Sequence, residues 1–106
     1  MIETSRINDI VKKIVDGFNP DKIILFGSYA AGNPDEDSDF DFILIKDTSL
    51  PKIKRDTEVR KLFYRIAIPM DFKIYTPGEF SDELKDKYSF LNSALENSKV
   101  LYERQN

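Results

Sequence analysis

Two stretches of this sequence carry residue types that can act on phosphates. Gly27-Ser28 follows the apolar run Lys22 to Phe26, and a turn there would aim backbone amides and a hydroxyl outward, as phosphate binding requires. Five carboxylates, Asp35, Glu36, Asp37, Asp39 and Asp41, then crowd into seven residues at the entrance to the apolar segment Phe40 to Ile45. Strand alternation puts Asp39 and Asp41 on one face if the strand already runs through 39. Carboxylates held together repel, so that one tends to take up a proton, and a divalent cation relieves both effects. Magnesium, a hard ion often shared with substrate phosphates, fits such a donor set.

A third acid, Asp71, stands in the alternating segment Pro69 to Tyr75. If its strand lies beside the one bearing Asp41, three carboxylates converge, enough to hold two metal ions and to help an acceptor hydroxyl lose its proton. Blander readings stand beside each of these. Gly27-Ser28 could be a tight turn; Asp35 to Asp41 could be a solvated loop, which suits Asp35, Glu36 and Asp37 better than Asp41 between Phe40 and Phe42; and Asp71 could simply pair with Lys73. A calcium loop fails on detail. Counted from Asp35, the sixth position is Phe40 rather than glycine and the twelfth is Lys46 rather than glutamate. The glycine turn is neither a P-loop nor a G-x-G-x-x-G dinucleotide turn.

With no histidine and no cysteine, the chain cannot build a Ser-His-Asp triad, a thiol nucleophile, a disulfide or a usual zinc site. Its net charge of −3 is smaller than the five acids of the cluster alone would give, so the rest of the chain is slightly basic and the acidity is local. No N-terminal basic and apolar signal and no run of about 18 apolar residues is found, and the expected location is the cytoplasm.

The elements that must position these residues follow from periodicity. Helical spacing of Ile7, Ile10, Val11, Ile14, Val15 and Phe18 predicts a helix over 4–17, with Thr4 or Ser5 as cap and Gly17 at its end. Strands are expected at 22–26, 40–45, 69–75 and 99–103, with a short helix at 29–31. Val59, Leu62, Phe63, Ile66 and Ala67 predict a helix over 51–67, "TPGE" at 76–79 reads as a turn, and helical segments fill 78–97. Alternating strands and helices, without repeat or linker, indicate one α/β domain over 1–106.

Gly27-Ser28, ten intervening residues and Asp39-Phe40-Asp41 together resemble the G-S-x10-D-x-D signature of polymerase β-type nucleotidyltransferases, with Asp71 matching their third acid. Over its whole length the chain is similar to the minimal nucleotidyltransferases, down to the closing "VLYE". The resemblance implies the nucleotidyltransferase fold, a small mixed sheet of about four strands flanked by helices. It implies that Gly27 and Ser28 grip the triphosphate of ATP while Asp39, Asp41 and Asp71 hold Mg2+, two ions being expected. It also implies a partner, since many such proteins are antitoxins that transfer adenylyl groups to a tyrosine of a HEPN-type toxin.

One departure stands out. Many relatives read G-S-x-A-R-G, whereas this chain has Ala31 in place of the arginine; Lys73, or a base from the helix carrying Lys52, Lys54, Arg55, Arg60, Lys61 and Arg65, could supply the cation. A solvated basic face is the plainer use of that helix. No basic excess marks a nucleic-acid track, which argues against direct nucleic-acid binding. The alternatives to adenylyl transfer are neutralisation of a partner by masking and transfer to a small molecule or an RNA end with a partner subunit.

Overall fold

The apolar stripe from Ile7 to Phe18 becomes one face of α1 (Ile2–Phe18) in the computed structural model, which describes residues 2–105. Ile10, Ile14 and Phe18 are buried by it, while Ile7, Val11 and Val15 pack at its margins. The helix starts ahead of Thr4 and Ser5, which therefore lie inside it rather than capping it; their interior position costs only about 0.5 kcal/mol each. Its end is set by Asn19 rather than Gly17. Asn19 adopts a left-handed φ of 55° and donates its N–H to the Ile14 and Val15 carbonyls, both at 3.2 Å. Gly17 serves packing instead, because a Cβ there would come within 2.4 Å of Leu62 Cδ2.

Four strands, β1 (Lys22–Phe26), β2 (Phe40–Ile45), β3 (Met70–Tyr75) and β4 (Lys99–Glu103), form one mixed sheet in the order β3-β2-β1-β4. β2 is antiparallel to β1 and parallel to β3, and β4 runs antiparallel to β1 with an irregularity between Ile23 and Ile24. One face presents Ile23, Leu25, Phe40, Phe42, Leu44, Phe72 and Ile74 to α1 and to the segment around Val59 and Phe63. The other presents Ile24, Phe26, Ile43 and Tyr75 to Leu91, Phe80 and Ala94. Cover on both sides explains why β1 and β2 read as almost continuous apolar runs, with Asp41 the one charge in the middle of them.

The predicted helix over 51–67 is shorter than its periodicity suggests. α3 spans Lys52–Arg60, a 3₁₀ turn follows at Lys61–Phe63, and Arg65 takes a positive φ of 69°. Leu62 and Phe63 have by then reached the core, and the chain must reverse to enter β3 through Pro69, whose ring disfavours helix at the residue before it. "TPGE" proves to be a helix start. Thr76 and Glu79 form a reciprocal capping box on α4 (Pro77–Leu84), with Pro77 at its first position. The expected helical stretch then breaks, because Ser89 caps a separate α5 (Phe90–Leu95) by accepting from the Asn92 N–H at 3.1 Å.

Arg55 corrects the reading of α3 as a uniformly solvated basic face. It is only 6% exposed, donates to the carbonyls of Leu50 and Ile74, and binds both carboxylate oxygens of Glu79, at 2.6 and 3.1 Å. One guanidinium thus ties α3, β3 and α4 together.

Candidate active site

Strand register brings the chemistry to one end of the sheet. Phe26, the last residue of β1, lies opposite Asp41, and Asp41 lies beside Asp71 in the parallel β2–β3 pair. The chain leaves β1 directly into α2 (Gly27–Ala31), so Gly27-Ser28 sits next to the first acid. Gly27 is required there for two reasons. Its φ is +78°, and a Cβ would come within 2.4 Å of Asp41 Oδ2. The Asp41 carboxylate therefore lies directly against the glycine turn.

The acidic run divides by environment. Asp35 closes a turn, accepting from the Asp37 N–H at 2.9 Å and from Ser38 Oγ at 3.2 Å, and Asp35, Glu36 and Asp37 face solvent. Asp41 is half-buried, and its carboxyl is pushed above the usual range first by burial, then by the charges of Asp71 and Asp39, with Lys73 pulling the other way. β2 begins at Phe40, so Asp39 stands just ahead of the strand and is exposed; the Phe40 N–H donating to the Pro69 carbonyl at 3.0 Å keeps this entry beside β3. Asp71 has two loose ion pairs of its own, with Arg60 Nη2 at 3.6 Å and Lys73 Nζ at 3.8 Å, all three side chains being half-exposed. The Asp71–Lys73 pair that was the plainer alternative for this acid is thus present, at long range.

Among the described residues no three acidic, histidine or cysteine side chains are gathered tightly enough to enclose a metal ion. What the arrangement offers is an oxygen-only donor pair, Asp41 and Asp71, with Asp39 near enough for its charge to be felt. Such a set suits a hard divalent cation, which would offset both the burial and the like charges that raise the Asp41 pKa.

A groove of about 350 Å³ opens from Gly27 and Ser28 and is walled on its far side by α5 through Phe90, Ser93 and Ala94, with Asn97 just beyond. Sequence reasoning missed this wall. The available signal was the spacing of Phe90, Ser93 and Asn97 at intervals of three and four, which shares one helical face, but it has meaning only once the break before Ser89 is known. Lys73 does not line this groove. It borders a second one at the β3 edge with Lys52, Ile53 and Asp56. Arg60, one of several bases on its helix, is the one that reaches Asp71.

A polymerase β nucleotidyltransferase family model matches residues 8–106, nearly the whole chain. The chain belongs to this family. Two relatives from Methanocaldococcus jannaschii, provisionally named protein adenylyltransferases MJ0141 and MJ0604, share 42% identity over 55 residues and 31% over 81 residues respectively. The first match covers 51% of this chain and 54% of the relative, so it spans only about half of that protein; the second covers 76% and 77%. Among solved structures, one of a toxin-antitoxin with AMP-PNP has a TM-score of 0.64 at 25% identity, covering 92% of this chain and 73% of that chain. A tri-AMPylated Shewanella oneidensis HEPN toxin in complex with MNT antitoxin gives 0.56 at 23%, covering 92% and 70%. The nucleotidyltransferase fold expected from the G-S-x10-D-x-D resemblance is the fold observed. Among the described residues no helix is long and apolar enough to cross a membrane.

Proposed function

We propose that residues 1–106 form a single nucleotidyltransferase unit that moves an adenylyl group from ATP to a hydroxyl of a partner protein, a tyrosine of a HEPN-type toxin, and so acts as its antitoxin in the cytoplasm. The observation that carries this reading is the packing of Asp41 against Gly27 with Asp71 beside it in register. The protein adenylyltransferase names of two relatives and the toxin-antitoxin neighbour with AMP-PNP support the donor and the kind of partner.

In this mechanism Gly27 and Ser28 hold the triphosphate, using the open amides at the start of α2 and the Ser28 hydroxyl. Asp39, Asp41 and Asp71 would hold Mg2+, which when bound supplies charge neutralisation at the phosphates and lowers the pKa of the acceptor hydroxyl. Asp71, nearest the open β3 edge, orients that hydroxyl and takes its proton. The acceptor oxygen forms a bond to the α-phosphorus as the bond to the β-phosphate oxygen breaks, and pyrophosphate leaves. Arg60 and Lys73, each loosely paired with Asp71, would give up that carboxylate for a phosphate oxygen, the role of the arginine that Ala31 replaces.

The test is to incubate the chain with its helical partner, ATP and Mg2+ and to weigh the intact partner. Mass increments of whole adenylyl groups, lost when Mg2+ is chelated, are expected; relief of toxicity with no added mass would overturn the transfer. That outcome would favour neutralisation by masking, a reading to which the pairing of Asp71 with Arg60 and Lys73 lends weight.

A further inference from the structure

β3 is an edge strand whose outer side is closed at one end and open at the other. The Pro69 and Tyr75 carbonyls accept from the Phe40 and Lys46 N–H groups, at 3.0 and 2.9 Å. Strand alternation therefore turns the main chain of Pro69, Asp71, Lys73 and Tyr75 toward β2 and that of Met70, Phe72 and Ile74 outward. Arg55 donates to the Ile74 carbonyl at 3.3 Å, which seals the C-terminal end. Among the described residues no other element bonds the outward N–H and C=O groups of Met70 and Phe72, the residues on either side of Asp71. Two hollows follow the seam between α3 and β3 and meet at Phe72. One, of about 350 Å³, is lined by Lys52, Ile53 and Lys73, and the other, of about 270 Å³, by Ile66, Ile68 and Met70. Ile53 is 85% exposed at the first.

We infer that this open edge is the docking strand for the acceptor: an extended, acidic segment of the partner protein pairs with the main chain of Met70 and Phe72 and so carries its hydroxyl residue past Asp71. The inference rests on the proposed role of Asp71 in taking the acceptor's proton. Unpaired groups along a sheet edge are matched by an extended chain, whereas a helix has no main-chain groups to offer them. Alternation in an added strand sends one set of its side chains toward α3 and the two hollows, on the side where Phe72 and Ile74 meet Val59. The other set faces the side of the sheet that carries Asp41 and Asp71, where an acceptor hydroxyl is needed. Lys52, Arg60 and Lys73 border the edge against Asp56 and Asp71, and Asp71 would be shared with the cation, so the charge left over favours an acidic segment. The Arg55 seal on Ile74 confines pairing to the stretch beside the acid.

The probes are a short synthetic acidic peptide with a central tyrosine and the same peptide with alternate amides N-methylated, which keeps every side chain and removes main-chain donors. With ATP and Mg2+, intact-mass kinetics give adenylyl transfer to the first peptide and a KM about tenfold higher or more for the second. In the presence of Mg·AMP-PNP the unmethylated peptide slows hydrogen exchange of the Met70 and Phe72 amides, followed by NMR, about tenfold or more. Met70→Pro removes an outward N–H and spares the ladder to β2, and Ile53→Glu repels the acidic peptide from an exposed position; each raises the peptide KM several-fold with Mg·AMP-PNP affinity unchanged. Equal KM for the two peptides, or no added protection of Met70 and Phe72 at saturating peptide, overturns the docking edge and leaves adenylyl transfer standing. So does transfer to the helical partner with none to the peptide. Protection of the same amides in the chain alone, rising with its concentration, assigns the edge to a second copy and overturns the inference as well. A chain that transfers to neither peptide nor partner removes the adenylyl-transfer reading and the docking edge with it.

Discussion

Carboxylates near the two ends of β3 are treated in opposite ways by this fold. At the N-terminal end of β3, Asp71 adjoins half-buried Asp41, whose proton is held more tightly than usual because burial and like charges outweigh Lys73. Just past its C-terminal end, Glu79 receives two hydrogen bonds from buried Arg55 and one from the Thr76 N–H, and its pKa is lowered to about 2. The clamp is a completed structure, with each charge matched. At the candidate site burial and like charges press on Asp41, and Asp71 is held only by its loose pairs with Arg60 and Lys73. A fold can bear that expense at one end because the other end is secured, and the contrast is itself a sign of function.

Removing the acids has the largest expected effect. Asp39→Asn with Asp41→Asn lowers adenylyl transfer by at least about 10²–10³-fold in an intact-mass assay, while the circular dichroism spectrum is retained. The clamp responds in the opposite sense. Glu79→Gln leaves Arg55 buried without its counter-charge and costs about 3 kcal/mol in denaturant unfolding, yet transfer per folded molecule persists; the double change Arg55→Met with Glu79→Met recovers most of the loss. Gly27→Ala lies between, costing about 1–3 kcal/mol through its φ of +78° and displacing Asp41, so that stability and transfer fall together.

The smallest effect is the most telling one. Asp41→Asn alone raises the stability of the ligand-free chain at pH 7 by less than about 1 kcal/mol. The sign follows from the raised pKa, since the unfolded chain ionises Asp41 more readily and ionisation above 3.8 therefore favours unfolding. The gap between wild type and Asp41→Asn closes as the pH falls below 3.8, where the carboxyl is protonated in both states. Glu79 has the reverse signature. Its contribution is present above 4.5 and is lost as the pH falls toward 2, so Glu79→Gln flattens the acid limb of the stability curve.

The same two regions show what can be read in a sequence. Gly27, Ser28, Asp39 and Asp41 were legible because their spacing is local and joins the end of one strand to the start of the next. Asp71 was nominated by its strand and by the family resemblance, and only the parallel pairing of β2 with β3 sets it beside Asp41. Arg55 was misread for the opposite reason: on a polar helix no apolar periodicity marks which base turns inward, and its partner Glu79 lies 24 residues away. The α5 wall was hidden by a helix break at Lys85 to Ser89 that a local capping interaction decides. Asn19 stopping α1 in place of Gly17 is the same lesson at smaller scale, since Gly17 answers to Leu62, a residue far along the chain.

On the proposed reading, the acids at the end of the sheet await a nucleotide and its cation. Thermal melting of wild type and Asp41→Asn, each with and without Mg·AMP-PNP, tests it most directly. Without ligand the variant melts higher; at about 100 times the dissociation constant the ligand adds about 2.7 kcal/mol to wild type alone and reverses the order. Equal ligand-induced shifts in both proteins, or a ligand-free variant that melts below wild type, would contradict it.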